Sequence, residues 1–69
     1  MKSSELQAGK TYVGRGGKRR YISRRSVSNV LPSWDRITYD IPEGGIDCCS
    51  ARAFARWAIR EAVPEEQAP

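Results

Sequence analysis

With 69 residues the chain makes one domain, and a domain this short buries only about 60% of the surface its unfolded form exposes, so stability is marginal unless oligomerisation or a partner adds to it. Hydrophobic residues at 39% and charged residues at 29% exclude a disordered segment, and no apolar run approaches the roughly 20 residues that span a bilayer. The net charge is +4, modest in size but uneven: Lys10, Arg15, Lys18, Arg19, Arg20, Arg24 and Arg25 occur with no acid among them, and the acids other than Glu5 all come later.

In chain order, Met1-Lys2-Ser3-Ser4-Glu5 is polar and leads into no apolar stretch of signal-peptide type, so a flexible lead and a cytoplasmic protein are expected. The domain is expected from residue 6 to residue 63, with a flexible tail from 64 to 69. Gly9 admits a turn into Lys10-Thr11-Tyr12-Val13, whose β-branched and aromatic content predicts a strand. Gly16-Gly17 reads as the two-residue loop of a type I′ hairpin, because glycine supplies positive φ at no steric cost. Counting outward from that loop pairs Val13 with Arg20 and Tyr12 with Tyr21, which makes the two tyrosines cross-strand neighbours on one face. Which tyrosine face is buried is left open by the pattern.

Ser26 to Asp35 interleaves Ser, Asn and Pro with Val27, Val30, Leu31 and Trp34, and predicts a ten-residue loop that tucks its apolar side chains under the sheet. Arg36 to Ile41 alternates strictly, with Ile37, Tyr39 and Ile41 on one face, the signature of a half-buried strand. Pro42-Glu43-Gly44-Gly45 is a turn and Ile46-Asp47-Cys48-Cys49 a returning strand. Ser50 is a good N-cap for a helix from Ala51 to Val63, stopped by Pro64. On that helix Ala51, Phe54, Ala55, Ala58 and Ala62 share one arc, with Phe54 as its central knob. The expected fold is α+β: a small antiparallel sheet of two hairpins, SH3-like or a small barrel, with one C-terminal helix packed on it. Val13, Ile22, Ile37, Tyr39, Ile41, Phe54 and Ala58 are the expected core.

Leu6-Gln7-Ala8-Gly9-Lys10-Thr11-Tyr12-Val13, the Gly-Gly hairpin into Arg20-Tyr21-Ile22, Ile37-Thr38-Tyr39, and Cys49-Ser50 leading into Phe54-Ala55-Arg56-Trp57-Ala58 together resemble the short uncharacterised proteins encoded by bacteriophages and prophages of proteobacteria, which are similar to small SH3-like strand bundles with a terminal helix. The resemblance spans about Leu6 to Val63. It implies an accessory phage protein and carries over no functional residues.

Gly9-Lys10-Thr11 imitates the end of a phosphate-binding loop, but the motif needs an earlier glycine where Ser4 stands and a helix where a strand follows. Cys48 and Cys49 are adjacent, so a disulfide between them is strained and free thiols are expected. With no histidine in the chain nothing completes a four-ligand zinc site, and no cofactor or metal is expected. Catalysis wants a base near neutrality with an oriented partner, and neither is visible, so the chain reads as a binding module.

The basic hairpin is the leading candidate site: Arg15, Lys18, Arg19, Arg20, Arg24 and Arg25 on a projecting ribbon suit phosphates, and exposed tyrosines could stack on bases. The competing reading is a solvated edge that resists aggregation. Arg52, Arg56 and Arg60, spaced four apart, form a second basic stripe on the expected helix, at a small cost in like-charge repulsion. Trp34 and Trp57 read as core before interface. The partner is nucleic acid, bound non-specifically through its backbone, or alternatively the acidic surface of a host protein. Composition leaves the oligomeric state open, a homodimer among the options.

Overall fold

A computed structural model describes residues 1–63, so the tail from residue 64 and Pro64, the expected helix stop, lie outside the described residues. The period-2 segment at the middle of the chain is realised within a five-stranded, open antiparallel sheet. Its strands are β1 (Thr11–Gly14), β2 (Arg19–Ser28), β3 (Trp34–Asp40), β4 (Ile46–Ser50) and β5 (Ala58–Glu61), with one helix, α1 (Ala51–Trp57), between the last two. The order across the sheet is β4-β3-β2-β1-β5. The class is α+β, as the sequence implies.

Three local expectations are corrected. The first is the β1–β2 register. The turn holds three residues, Arg15–Gly17, with Gly16 and Gly17 both at positive φ and Gly14 N–H donating to Lys18 O across it (2.9 Å). One extra residue in the loop pairs Tyr12 with Arg20 and Thr11 with Tyr21. A one-residue slip exchanges the faces of a strand, so Tyr12 is fully buried while Tyr21 is 41% exposed.

The second is the expected loop between residues 26 and 35. β2 runs on to Ser28, and Ser26, Val27 and Ser28 pair with Arg36, Asp35 and Trp34, leaving a short connection. Val27, Val30, Leu31 and Trp34 are exposed, not tucked under the sheet. Serines suffice there because the backbone ladder, rather than side-chain burial, holds a ribbon together. Ten residues of β2 reach roughly 33 Å, which accounts for overall dimensions of 39 × 23 × 19 Å.

The third is the helix. It ends at Trp57, and Ala58 turns extended to begin β5, which pairs with β1. A helix continued to Val63 would leave one edge of β1 without backbone partners although all four of its residues are buried, a larger penalty than the helix propensity of alanine and arginine can offset. Ser50 does cap α1 as expected, its Oγ accepting from Ala53 N–H at 3.0 Å. The small-residue arc is also as expected in burial: Ala51, Phe54, Ala55, Ala58 and Ala62 are all buried.

The core lies on the inner side of the curled sheet, where Tyr12, Ile22, Ile37, Tyr39 and Leu6 close on Phe54 and the alanines, with Ile41 and Trp57 partly buried beside them. Phe54 meets the rings of Tyr12, Tyr39 and Trp57 edge-on at centroid distances of 5.9, 5.5 and 5.3 Å, a geometry that favours the aromatic quadrupoles. Val13, expected in this core, is buried on the opposite side of β1.

The ribbon is tied to the N-terminal turn by one side chain. Arg25 donates to both carboxylate oxygens of Asp35 (2.9 and 2.6 Å) and to the carbonyls of Ser3 and Leu6 (2.9 and 2.8 Å). The Arg25 hydrogen bond holds the Asp35 carboxyl below its ordinary range. A carboxyl whose folded value is depressed contributes stability above the unfolded value, near pH 4, and loses it as pH falls through the folded one. Urea midpoints measured from about pH 6 to pH 2.5 should therefore fall less steeply for Asp35→Asn than for the parent chain; parallel curves would mean the pair contributes nothing.

Candidate nucleic-acid interface

Antiparallel partners project to the same side of a sheet, so the registers sort the arginines into two sides. Outward rows run Arg60–Val13–Arg19, Thr11–Tyr21–Asp40–Ile46, Arg24–Thr38–Cys48, Ser26–Arg36–Ser50 and Ser28–Trp34. Four arginines and two exposed aromatic rings stand in these rows, with Asp40 as their single carboxylate. Inward lie Arg20, opposite Tyr12, and Arg25, opposite Ile37.

A β-bulge decides which of the neighbouring Arg24 and Arg25 faces out. Ile22 pairs with Tyr39 and Arg24 with Thr38, leaving Ser23 as the extra residue, its hydroxyl donating to Thr38 O (3.2 Å). The bulge inverts the alternation beyond it: Arg24 turns outward and exposed, and Arg25 turns inward to its four hydrogen bonds. Counting by twos from Ile22 gives the reverse assignment.

Arg15 and Lys18 are exposed at the β1–β2 turn, and Arg19 projects outward from the start of β2. Arg20 is half-buried, its guanidinium over the rings of Trp57 (4.1 Å) and Tyr39 (4.6 Å). It borders a cavity of about 400 Å3 that also takes in Lys18, Glu43 and Asp47, so charges of both signs meet there. Burial pushes the Tyr39 hydroxyl and the Cys49 thiol up, with Arg20 pulling both the other way. A thiol held protonated is a poor nucleophile.

Arg52 and Arg56 are exposed on α1, and Arg56 sits in its last turn, where the helix dipole favours a cation. Arg60 does not continue their stripe: it belongs to β5, where the register sets it beside Val13 in line with Arg19. Glu61 pairs with Lys10 (3.1 Å). The expected sites thus separate into a turn (Arg15, Lys18), a helix face (Arg52, Arg56) and the outward sheet side (Arg19, Arg24, Arg60), while Arg20 and Arg25, expected with them, lie inward and are engaged by the rings and by Asp35. Sequence reasoning missed Arg36 and the outward place of Trp34. The alternation of β3 already put Arg36 on the polar side, but only the long β2–β3 pairing places it next to Arg24.

Cys48 is exposed and Cys49 half-buried, both free, on opposite sides of β4 as neighbours in a strand must be. Among the described residues no cluster of His, Cys, Asp and Glu is arranged to hold a metal ion, and no helix is long and apolar enough to cross a membrane. No protein-family model, curated protein or solved structure matches the chain.

Proposed function

We propose that this chain is a small binding module that contacts nucleic acid without sequence preference, through the outward side of its sheet and the β1–β2 turn, and that it catalyses nothing. The observation that carries this reading is the outward alignment of Arg19, Arg24, Arg36 and Arg60 with Asp40 as the one carboxylate in those rows. Arginine suits the role because its planar, permanently charged fork meets phosphate oxygens in pairs. Arg15, Lys18, Arg52 and Arg56 extend the positive field. A cytoplasmic setting, with free thiols and accessible nucleic acid, agrees with this. The phage or prophage origin rests on the sequence resemblance alone.

The strand order, the helix between β4 and β5, and the bulge that bends β2 support a finer reading of the fold as an SH3-like barrel left open between its edge strands.

The test is fluorescence anisotropy with labelled DNA and RNA over a salt series. Four phosphate contacts should weaken binding roughly 50- to 150-fold between about 50 and 200 mM salt, and Arg24→Glu with Arg36→Glu should flatten that slope. Absence of binding at the lowest salt would end this reading. A second reading is contact with a host protein whose acidic surface meets the same cationic side, and Val30 and Leu31, exposed by 76% and 88% at the ribbon tip, would give such a protein contact an apolar anchor. That reading calls for losses concentrated in one or two anchor residues rather than spread over the arginines.

A further inference from the structure

On the β2–β3–β4 part of the outward side there is a groove of about 480 Å3 lined by Ser26, Trp34, Arg36, Thr38 and Cys48. That volume lies within the range of small-ligand sites, roughly 300–1,000 Å3. Trp34 is 47% exposed and its ring takes no part in the ring cluster around Phe54, so core packing does not account for it. Beside it stand two hydroxyls, of Ser26 and Thr38, and the guanidinium of Arg36, with Arg24 one row further along.

This set matches the three parts of a nucleotide. An indole face stacks on a base, hydroxyls donate to and accept from a base edge or sugar, and guanidinium groups take the adjoining phosphates. A base within a duplex has both faces covered by its neighbours and cannot reach a ring that lies on a sheet surface, whereas an unpaired base can. Resting on the nucleic-acid reading above, we infer that the groove holds one unstacked base of a single strand against Trp34, with its flanking phosphates at Arg24 and Arg36. The module is therefore selective for single strands while indifferent to their sequence, because every base offers a π face.

The experiment compares labelled single strands of about 12 nucleotides, one DNA and one RNA, with a duplex of equal length, at fixed low salt. The parent chain, Trp34→Ala and Trp34→Phe are each titrated, and their thermal melts are recorded alongside. Single strands should bind at least about 10-fold more tightly than duplex. Trp34→Ala should weaken single-strand binding roughly 5- to 150-fold and duplex binding less than about twofold, with an unchanged melt, and Trp34→Phe should restore most of the loss. The tighter of the DNA and RNA arms identifies the source of the strand. Equal affinity for duplex and single strand, or a Trp34→Ala chain that binds as the parent does, overturns this inference while the nucleic-acid reading survives on its salt dependence. No binding of any probe overturns both.

Discussion

Phe54→Ala should abolish cooperative unfolding at room temperature. Removing a fully buried phenylalanine costs about 3–5 kcal/mol, and here three edge-on ring pairs, with Tyr12, Tyr39 and Trp57, are lost with it. A chain of 69 residues has a total stability of only roughly 3–10 kcal/mol. The ring also joins α1 to the sheet, so no local rearrangement fills the space without separating the two layers. Near-ultraviolet circular dichroism and a urea titration read the outcome: a flat, non-sigmoidal curve for Phe54→Ala, against a retained transition for Phe54→Leu with a loss of about 1–2 kcal/mol. A sigmoidal transition for Phe54→Ala within about 1 kcal/mol of the parent would show that the core is not organised around this ring.

The second large effect comes from a single methyl group. A Cβ added at Gly14 would fall within the indole of Trp57, overlapping Cε2, Cδ2 and Cζ2. The backbone there, φ −117° and ψ −164°, is ordinary extended strand that any residue adopts, so the requirement for glycine is purely steric. Gly14→Ala must drive the indole out, and with it go the contact with Phe54 and the stacking of Arg20. The expected cost is about 3 kcal/mol, the upper end of overpacking in a closed core. A double-mutant cycle isolates the cause: Gly14→Ala added to Trp57→Ala should cost less than about 0.5 kcal/mol, since the obstructing ring is gone. If the two losses add in full, the indole is not what excludes the methyl.

The parts of this fold that were legible in the sequence are those set by local chemistry. The alternation of Ile37 and Tyr39, the Ser50 cap and the small-residue arc around Phe54 are all adopted by the chain, with Ile41 just beyond β3 and only partly buried. What could not be read depends on partners distant in sequence. Ala58–Glu61 continues a helical arc in the sequence and becomes a strand only because the far edge of β1 requires one. The Gly16-Gly17 turn is evident, but whether Arg15 joins it is not, and that single residue decides which tyrosine is core. The site followed the same rule. A basic first half was plain, whereas the division of Arg24 from Arg25 hangs on a bulge at Ser23, and the partnership of Arg24 with Arg36 and Trp34 on a ribbon that composition disguises as a loop.

The pairing of the last strand with the first also sets how the chain reaches this structure. β1 and β5 come together only by closing nearly the whole described chain into one loop, and such long-range closure loses chain entropy before any contact repays it. Folding should accordingly be slower than for a helical chain of this size, and all-or-none in its final step. The four buried residues of β1 are sheltered only once Ala58–Ala62 arrives, so a nascent chain lacking that segment carries an open, aggregation-prone edge at Thr11–Gly14.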